Sequence, residues 1–314
     1  MEKIKIAVVT PVFNEEQVIG HFHARTRAVL DSMPDVDGKI IFVLDRSTDD
    51  SRNIIRSIVD RDANARLIVL SSRFGHQMSL LAGIERSLDA DAIVMMDSDL
   101  QQPPELIPKM IDAYRKGFDV VFTTRKDNED ASFIRKKVGN LFYRLLARSS
   151  TVEITANAAD FRLISNRVAD ILVHNFEEQN VFLRGIIPWI GFDQTGIEYV
   201  AEPRFAGKSK YSLSRMIKLA TAGILSFSTK PLQIGIFVGV GFAALAFLMS
   251  VYAVIDYFVD RTIPSGWTTL AVLLLLFSGI QLIVMGVLGA YVGGIYEEVK
   301  RRPRYIVDED VSHD

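Results

Sequence analysis

The sequence predicts an α/β domain built on a mostly parallel sheet, followed by a pair of C-terminal membrane helices. Three observations point there. Short β-branched runs alternate with stretches of helical spacing over the first part of the chain. The last third holds two long uncharged stretches. Mean hydropathy is +0.19 although 24% of the residues are charged, so the apolar excess is concentrated in one region.

The expected strands are Ile4–Thr10, Ile40–Leu44, Arg66–Leu70, Ala92–Met96 and Val120–Thr123, and the stretches between them, Glu15–Met33, Asp49–Asp62 and Pro104–Lys116, have helical spacing. Strands that are apolar on both faces, alternating with helices, indicate a parallel sheet covered on both sides. Ser47 or Thr48 is expected to cap the second helix, and Pro103-Pro104 to start the fourth. The uncharged stretches are Pro231–Ile255 and Trp267–Tyr296. At 1.5 Å per residue each exceeds the ~30 Å hydrocarbon core of a bilayer. Runs this long without charge argue against buried core helices, so a two-helix hairpin is expected, with spans at about 231–255 and 267–296. Arg215, Lys218 and Lys230 precede it and Lys300, Arg301, Arg302 and Arg304 follow it, whereas the turn offers only Arg261. The positive-inside rule then puts the α/β domain and both termini in the cytoplasm, on the inner (plasma) membrane. The N-terminal run Ile6–Val9 is too short for a signal peptide. Glycines in both spans suit close helix packing and lean toward a homo-oligomer.

Composition excludes several classes. The 314 residues contain no cysteine, which removes disulfide scaffolds and thiolate zinc sites. A net charge of −2 argues against nucleic-acid binding. No G-x-G-x-x-G follows the first strand and no G-x-x-x-x-G-K-[ST] occurs, so dinucleotide oxidoreductases and P-loop NTPases lose their main support.

Ligands of open α/β sheets bind beyond the carboxyl ends of the strands. That rule selects residues 10–15, 45–49 and 97–99, all polar and acidic. Asp97 and Asp99 follow an apolar strand two residues apart, and an extended chain aims both the same way. Two readings stand: a hard divalent cation between them that bridges a diphosphate, or a pair of aspartates capping the helix at Pro103. The segment 133–146 puts Ile134, Val138, Leu141, Phe142, Leu145 and Leu146 on one helical face with Arg135, Lys136, Lys137, Arg144 and Arg148 around it. It reads either as an interfacial helix near an anionic membrane or as a core-facing helix with a solvated basic side, and the downstream hairpin favours the membrane. Ser214–Thr229 reads as a second interfacial helix. His76 is read as a helix-start residue or a substrate contact.

The ordered set Pro11-Val12-Phe13-Asn14-Glu15, Asp45-Arg46-Ser47-Thr48-Asp49, Arg73-Phe74-Gly75-His76-Gln77, Asp97-Ser98-Asp99-Leu100-Gln101 with Pro103-Pro104-Glu105, and Asp160-Phe161-Arg162-Leu163 resembles the polyprenyl-phosphate glycosyltransferases of inverting glycosyltransferase family 2. The likeness runs through nearly the whole chain, because the bactoprenol branch also ends in a two-helix hairpin. It implies a GT-A catalytic domain over 1–211, a juxtamembrane helix at 212–230, the hairpin at 231–296 and a basic and acidic tail at 297–314. It further implies a metal, Mg²⁺ or Mn²⁺, at Asp97 and Asp99 with Gln101 beside them. Nucleotide-sugar contacts are implied at Pro11, Asn14, Glu15, Asp45 and Ser98. Asp160 corresponds to the family aspartate near the acceptor, with a strand-end partner of Arg162 as the alternative, and Arg125 to an arginine near phosphate. Arg204-x-x-Gly207-x-Ser209-Lys210-Tyr211 resembles a mobile family segment in which Arg204 and Lys208 reach the diphosphate. Lipid phosphate is assigned to Arg125, Arg135, Lys136, Lys137 and Arg162. One departure stands out: Leu44, Asp45 and Arg46 occupy positions where the family commonly has two aspartates and a glycine.

The implied reaction is inverting transfer of a sugar, glucose from UDP-glucose by likeness, to undecaprenyl phosphate. UDP-N-acetylglucosamine, other UDP sugars or GDP-mannose are alternative donors. A membrane-anchored nucleotide-binding protein without transferase activity is the alternative from another class. A processive polysaccharide synthase is disfavoured, because no Q-x-x-R-W motif and no further spans occur.

Overall fold

A computed structural model describes residues 3–126, 158–179, 181–202, 230–260 and 266–313. They fall into two compact units, the first containing the described residues up to 202 together with 302–313, the second containing 230–260 and 266–301. The segment 133–146, the segment 204–212 and the helix expected at 214–229 lie outside the described residues, and with them Arg135, Lys136, Lys137, Arg204 and Lys208.

The first unit is an eight-stranded sheet. Its strands are β1 (Ile4–Val12), β2 (Val36–Leu44), β3 (Ala65–Leu70), β4 (Ala92–Met95), β5 (Val120–Lys126), β6 (Ala158–Ser165), β7 (Gln194–Val200) and β8 (Val307–Ser312). They stand in the order β7-β5-β6-β4-β1-β2-β3-β8. The expected parallel core is present: β1 pairs in parallel with β2 and β4, and β2 with β3. The helices are α1 (Ile19–Asp31), α2 (Ser51–Val59), α3 (His76–Glu85), α4 (Ile107–Arg115), α5 (Asn166–Asn175) and α6 (Leu183–Ile190). A 3₁₀ turn, Pro104–Leu106, leads into α4, with proline early in the turn where a missing N–H costs nothing. The central strands are buried on both faces, with Val8, Val9, Phe42, Val43, Ile93 and Val94 all at 0% exposure. Gly83 of α3 is part of that packing. A Cβ there would stand 2.3 Å from Val9 Cγ1, so a larger residue would lift the helix off the sheet.

Two features were not expected from the sequence. First, β6 runs antiparallel to both β4 and β5. Its register, Met95 opposite Arg162, carries Asp160 past the carboxyl end of β4. An acid at the beginning of one strand thereby joins acids at the ends of others. Second, the stretch expected as a tail contains β8, paired antiparallel with β3. The sequence Val-Asp-Glu-Asp-Val-Ser reads as a solvated acidic segment, but arginines of the sheet face it. Arg66 grips Asp310 with two hydrogen bonds of 2.7 and 2.9 Å, and Arg86 stands 3.3 Å from the same carboxylate. Glu309 meets Arg52 at 2.7 Å and also Arg56, both on α2. Upstream, the Ser71 N–H donates to the Ile306 carbonyl (2.9 Å), and the Tyr305 hydroxyl donates to Glu85. β8 thus closes an edge that would otherwise expose a row of unpaired backbone groups.

The cap expected at Ser47 or Thr48 is absent. α2 begins at Ser51 without a side-chain cap, because Ser47 and Thr48 instead bind Asn14 in the neighbouring loop.

The second unit holds α7 (Lys230–Asp260) and α8 (Trp267–Val299). Within α8, Leu276–Val299 is long and apolar enough to cross a membrane by length and composition, with mean hydropathy 1.8 over 24 residues. α7 contributes a shorter apolar stretch, Gly235–Met249. Phe242 and Phe277 meet edge to face at 5.6 Å between the two helices.

Replacing the acid at the centre of the β8 cluster tests the closure. Asp310→Lys sets a cation against Arg66 and Arg86 and is expected to cost about 1–2 kcal/mol, seen as a melting temperature lower by several degrees in differential scanning fluorimetry.

Candidate active site

The site forms where the strand order reverses, between β1 and β4, and is built from the loops after β1, β2, β3 and β4. The first two loops clasp each other. Asn14 adopts a left-handed backbone (φ 54°), its N–H donates to Ser47 Oγ (3.0 Å), and its side-chain carbonyl accepts the Thr48 N–H (2.8 Å). Asparagine tolerates that conformation better than other residues with a side chain of its size. The Glu15 N–H donates to Ser51 Oγ at 3.0 Å, fixing the start of α2 to the same loop. Asp45 is 4% exposed and accepts the N–H groups of Phe74 (2.9 Å) and Gly75 (3.0 Å). It therefore holds the turn that opens α3, where Gly75 has φ +92° and a side chain would be strained. Arg46 donates to the Ser71 carbonyl at 3.3 Å, and the Arg73 guanidinium lies 3.9 Å over the Phe13 ring.

Asp97 and Asp99 sit at the centre. Neither caps the following helix, since the 3₁₀ turn and α4 have Pro103 and Leu106 as their N-caps with no side-chain cap bond. The extended geometry expected of them is replaced by a turn: β4 ends at Met95, and Leu100 takes φ 59°. Asp97 is held from two sides. His76 Nε2 lies 2.7 Å from one oxygen, and the Gln102 amide donates to the other at 2.8 Å while accepting the Asp97 N–H at 2.8 Å. Asp99, 8% exposed, accepts the Gln101 N–H at 3.1 Å. Ser98 Oγ donates to the Pro11 carbonyl (3.2 Å), tying this turn to β1. The Tyr199 hydroxyl loses its proton less readily than usual, chiefly through burial and further through Asp97 and Asp99. Both carboxylates thus act on one neighbourhood.

Among the described residues no group of three or more His, Asp or Glu side chains is placed to hold a metal. The donor set fits a hard divalent cation in a particular way. The carboxylates of Asp97 and Asp99 would supply part of the shell of such an ion, and Mg²⁺ and Mn²⁺ commonly take their remaining ligands from phosphate and water.

Asp160 is 7% exposed and receives a two-pronged grip from Arg184 of α6, at 2.6 and 2.7 Å. His76 Nδ1 stands 3.9 Å from the same carboxylate, so the imidazole lies between Asp97 and Asp160. Burial alone raises the affinity of Asp160 for a proton, but Arg184, His76 and Arg162 outweigh it and hold its pKa at about 2. Arg162, 2% exposed, is pulled down to about 10 by desolvation, with Asp160 opposing. Burial also lowers the pKa of His76, but the hydrogen bond and charge of Asp97 and the charge of Asp160 reverse this, and the net shift is upward.

The structure therefore brings Pro11, Asn14, Glu15, Asp45, Asp97, Ser98, Asp99, Gln101, Asp160 and Arg162 to one end of the sheet. Arg125, opposite Tyr199 in the β5–β7 pairing, is exposed and influences the Tyr199 hydroxyl. Arg184 and Gln102 were not singled out from the sequence. His76 is both the first residue of α3 and a site residue.

An open α/β sheet with an acidic site at its switch point and antiparallel β6 inserted beside β4 has the architecture of a GT-A-like transferase. Residues 7–172 match the model for glycosyl transferase family 2, and the chain belongs to that family. It is 40% identical over 307 residues to the uncharacterized glycosyltransferase YkcC of Bacillus subtilis (strain 168), covering 98% of this chain and 94% of that protein. It is 36% identical over 304 residues to the SfII prophage-derived bactoprenol glucosyl transferase of Shigella flexneri, covering 97% of each. The prophage bactoprenol glucosyl transferase homolog of Escherichia coli (strain K12) is 35% identical, covering 97% of this chain and 98% of its own length.

The depressed acidity of Asp160 carries a signed expectation. A carboxylate lowered from 3.8 to about 2 adds stability in full above roughly pH 4 and loses it as pH falls toward 2. The difference in unfolding free energy between the parent and Asp160→Asn is expected to shrink across that window by on the order of 2 kcal/mol. Near neutral pH the variant should be less stable by about 3 kcal/mol, because Arg162 keeps its burial and loses its anion. Thermal denaturation across pH measures both.

Proposed function

We propose that the chain transfers glucose from UDP-glucose to a polyprenyl phosphate, undecaprenyl phosphate, at the cytoplasmic face of the membrane, with inversion at the anomeric carbon. The observation that carries this reading is the 36% identity to a bactoprenol glucosyl transferase over 97% of both chains, which extends past the sheet into the apolar helices.

In the reaction an oxygen of the lipid phosphate attacks the anomeric carbon while the bond from that carbon to UDP breaks. The electron pair leaves with the diphosphate. Mg²⁺ or Mn²⁺ held by Asp97 and Asp99, with Gln101 beside them, would supply Lewis-acid stabilisation of that leaving charge. The loop pair of Asn14 with Ser47 and Thr48 forms the nucleotide side of the site, with Pro11, Glu15 and Ser98 in its walls. Asp45 contributes by holding the turn at 73–75. A phosphate nucleophile is already an anion near neutral pH and needs positioning more than deprotonation. Asp160, gripped by Arg184 and weakly basic, suits orientation of the reactants better than proton removal. Arg162 then serves as its interior counter-ion, and Arg125 is left as the exposed cation for phosphate. The Glu202 N–H donates to the Gln101 carbonyl (3.1 Å), so the chain enters the Arg204–Lys208 segment from beside the acidic pair. The basic segment at 135–137 remains a proposed contact for lipid phosphate.

Connectivity supports the membrane topology. The chain leaves the first unit before α7 and returns to it at Arg302. If α8 crosses the bilayer, the return demands an even number of crossings, so α7 crosses too. The basic cluster at Lys300, Arg301, Arg302 and Arg304 then marks the cytoplasmic side. Small residues along both helices suit a homo-oligomer.

Full-length protein in bilayers, given labelled UDP-glucose, undecaprenyl phosphate and Mg²⁺ or Mn²⁺, is expected to form a glucosylated lipid phosphate identified by mass. Chelation, Asp97→Ala or Asp99→Ala should each lower the rate at least about 100-fold. Product formed equally well by these variants would overturn the metal assignment, and product formed only from another nucleotide sugar would overturn the donor.

A further inference from the structure

Asp160 is held by more positive charge than one carboxylate needs. Arg162 lies two residues along β6, on the same face of the strand, and is 2% exposed. Arg184 takes both oxygens of the same acid, through Nε at 2.6 Å and Nη2 at 2.7 Å, yet its side chain is 31% exposed. One acid is thus shared by an arginine locked in the interior and an arginine that reaches the surface of the site.

The backbone beneath Arg184 is fixed. The residue stands in the first turn of α6 between buried Leu183 and Gly185, and the Leu183 N–H donates to the Gln77 side chain at 3.0 Å. Gln77 follows His76 at the start of α3, so the turn that carries Arg184 is tied to the helix that places the imidazole. Only the long guanidinium arm is left to move.

A second arginine acts on the same spot. Burial, Asp97 and Asp99 keep the proton on the Tyr199 hydroxyl, and Arg125 and Arg184 both oppose them. The hydroxyl thus marks a point between the acidic pair and two guanidinium groups, one from exposed Arg125 of β5 and one from α6. A guanidinium fork matches phosphate oxygens as well as it matches a carboxylate.

We propose that Arg184 receives the acceptor phosphate: the incoming phosphate takes over the fork that grips Asp160, and Arg162 stays behind as the counter-ion of that acid. The inference rests on the transfer to lipid phosphate proposed above. Arg184 thereby takes the place expected of Arg162, whose burial keeps it from any ligand. The exchange replaces one two-pronged charge pair by another, and only hydrogen bonds change hands. It also sets an order, because Asp160 becomes available to the donor sugar when the phosphate has arrived.

The test is steady-state transfer by the full-length protein in bilayers, with undecaprenyl phosphate and UDP-glucose varied in turn. KM is the readout, since it does not depend on how much of a variant is folded. Arg184→Gln is expected to raise the KM for lipid acceptor about 30-fold while the KM for UDP-glucose stays within about twofold of the parent. Arg184→Lys keeps the charge and loses the fork, and should raise the acceptor KM only about fivefold. Asp160→Asn releases the fork, so it should lower kcat and also lower the acceptor KM about threefold, and adding Arg184→Gln should raise that KM again. An arginine that served only to hold Asp160 gives the opposite pattern, with the acceptor KM of Asp160→Asn unmoved by adding Arg184→Gln. That pattern overturns the inference, as does an Arg184→Gln variant that lowers kcat alone. A parent that transfers no glucose to undecaprenyl phosphate overturns the underlying reading and the inference with it, and shows before any variant is made.

Discussion

The site is governed by electrostatic repulsion among four carboxylates, Asp45, Asp97, Asp99 and Asp160, gathered at one end of one sheet. Acids brought together in a poorly solvated place either take up protons or acquire compensating donors. Here each has its own answer. Backbone N–H groups hold Asp45, His76 and Gln102 hold Asp97, the Gln101 N–H binds Asp99, and Arg184 with buried Arg162 keeps Asp160 ionised. The loops take their shapes from these bonds. The Asp45 carboxylate joins the end of β2 to the start of α3, and α3 in turn delivers His76 between Asp97 and Asp160. A helix pressed onto the sheet at Gly83 has little room to shift, so the imidazole is placed by packing as much as by hydrogen bonding.

The parallel half of the fold was readable because its strands are apolar on both faces, and a run such as Ala92–Met95 has no other sensible home. The rest carried mixed signals. β6 reads Ala-Ala-Asp-Phe-Arg-Leu-Ile-Ser, with a buried acid and a buried arginine inside it, and its reversed direction leaves no trace in local pattern. β8 is acidic and is stabilised by arginines that precede it by more than two hundred residues. Among the site residues, the Asp97–Asp99 pair could be found by its position after a strand, whereas Arg184 and Gln102 could not. Arg184 meets Asp160 across 24 positions and Gln102 sits in an uninformative Gln-Gln-Pro-Pro run. The same limit explains Ser47 and Thr48, which look like caps until the loop holding Asn14 is seen to claim them.

The two units divide the physical work. The sheet has buried polar chemistry satisfied by many specific donors, and the described residues of the helical unit present exposed apolar side chains. The chain runs from the first into the second and back, so neither the apolar helices nor the sheet is an appendage of the other. The near full-length relatives agree with that continuity, since the region aligned with YkcC covers 98% of the chain, whereas the family model stops at residue 172.

The placement of β8 also orders biogenesis. During synthesis β3 emerges early, and its outer edge has no partner until both long helices have left the ribosome and Val307–Ser312 has followed. At ordinary elongation rates that interval is on the order of tens of seconds. Throughout it the nascent sheet presents an open, template-ready edge, with Arg66 and Arg86 as charged guards against pairing with other chains. The same arginines later donate to or pair with Asp310, so completion of the sheet reports that both long helices have been made, and folding of the first unit is timed by delivery of β8.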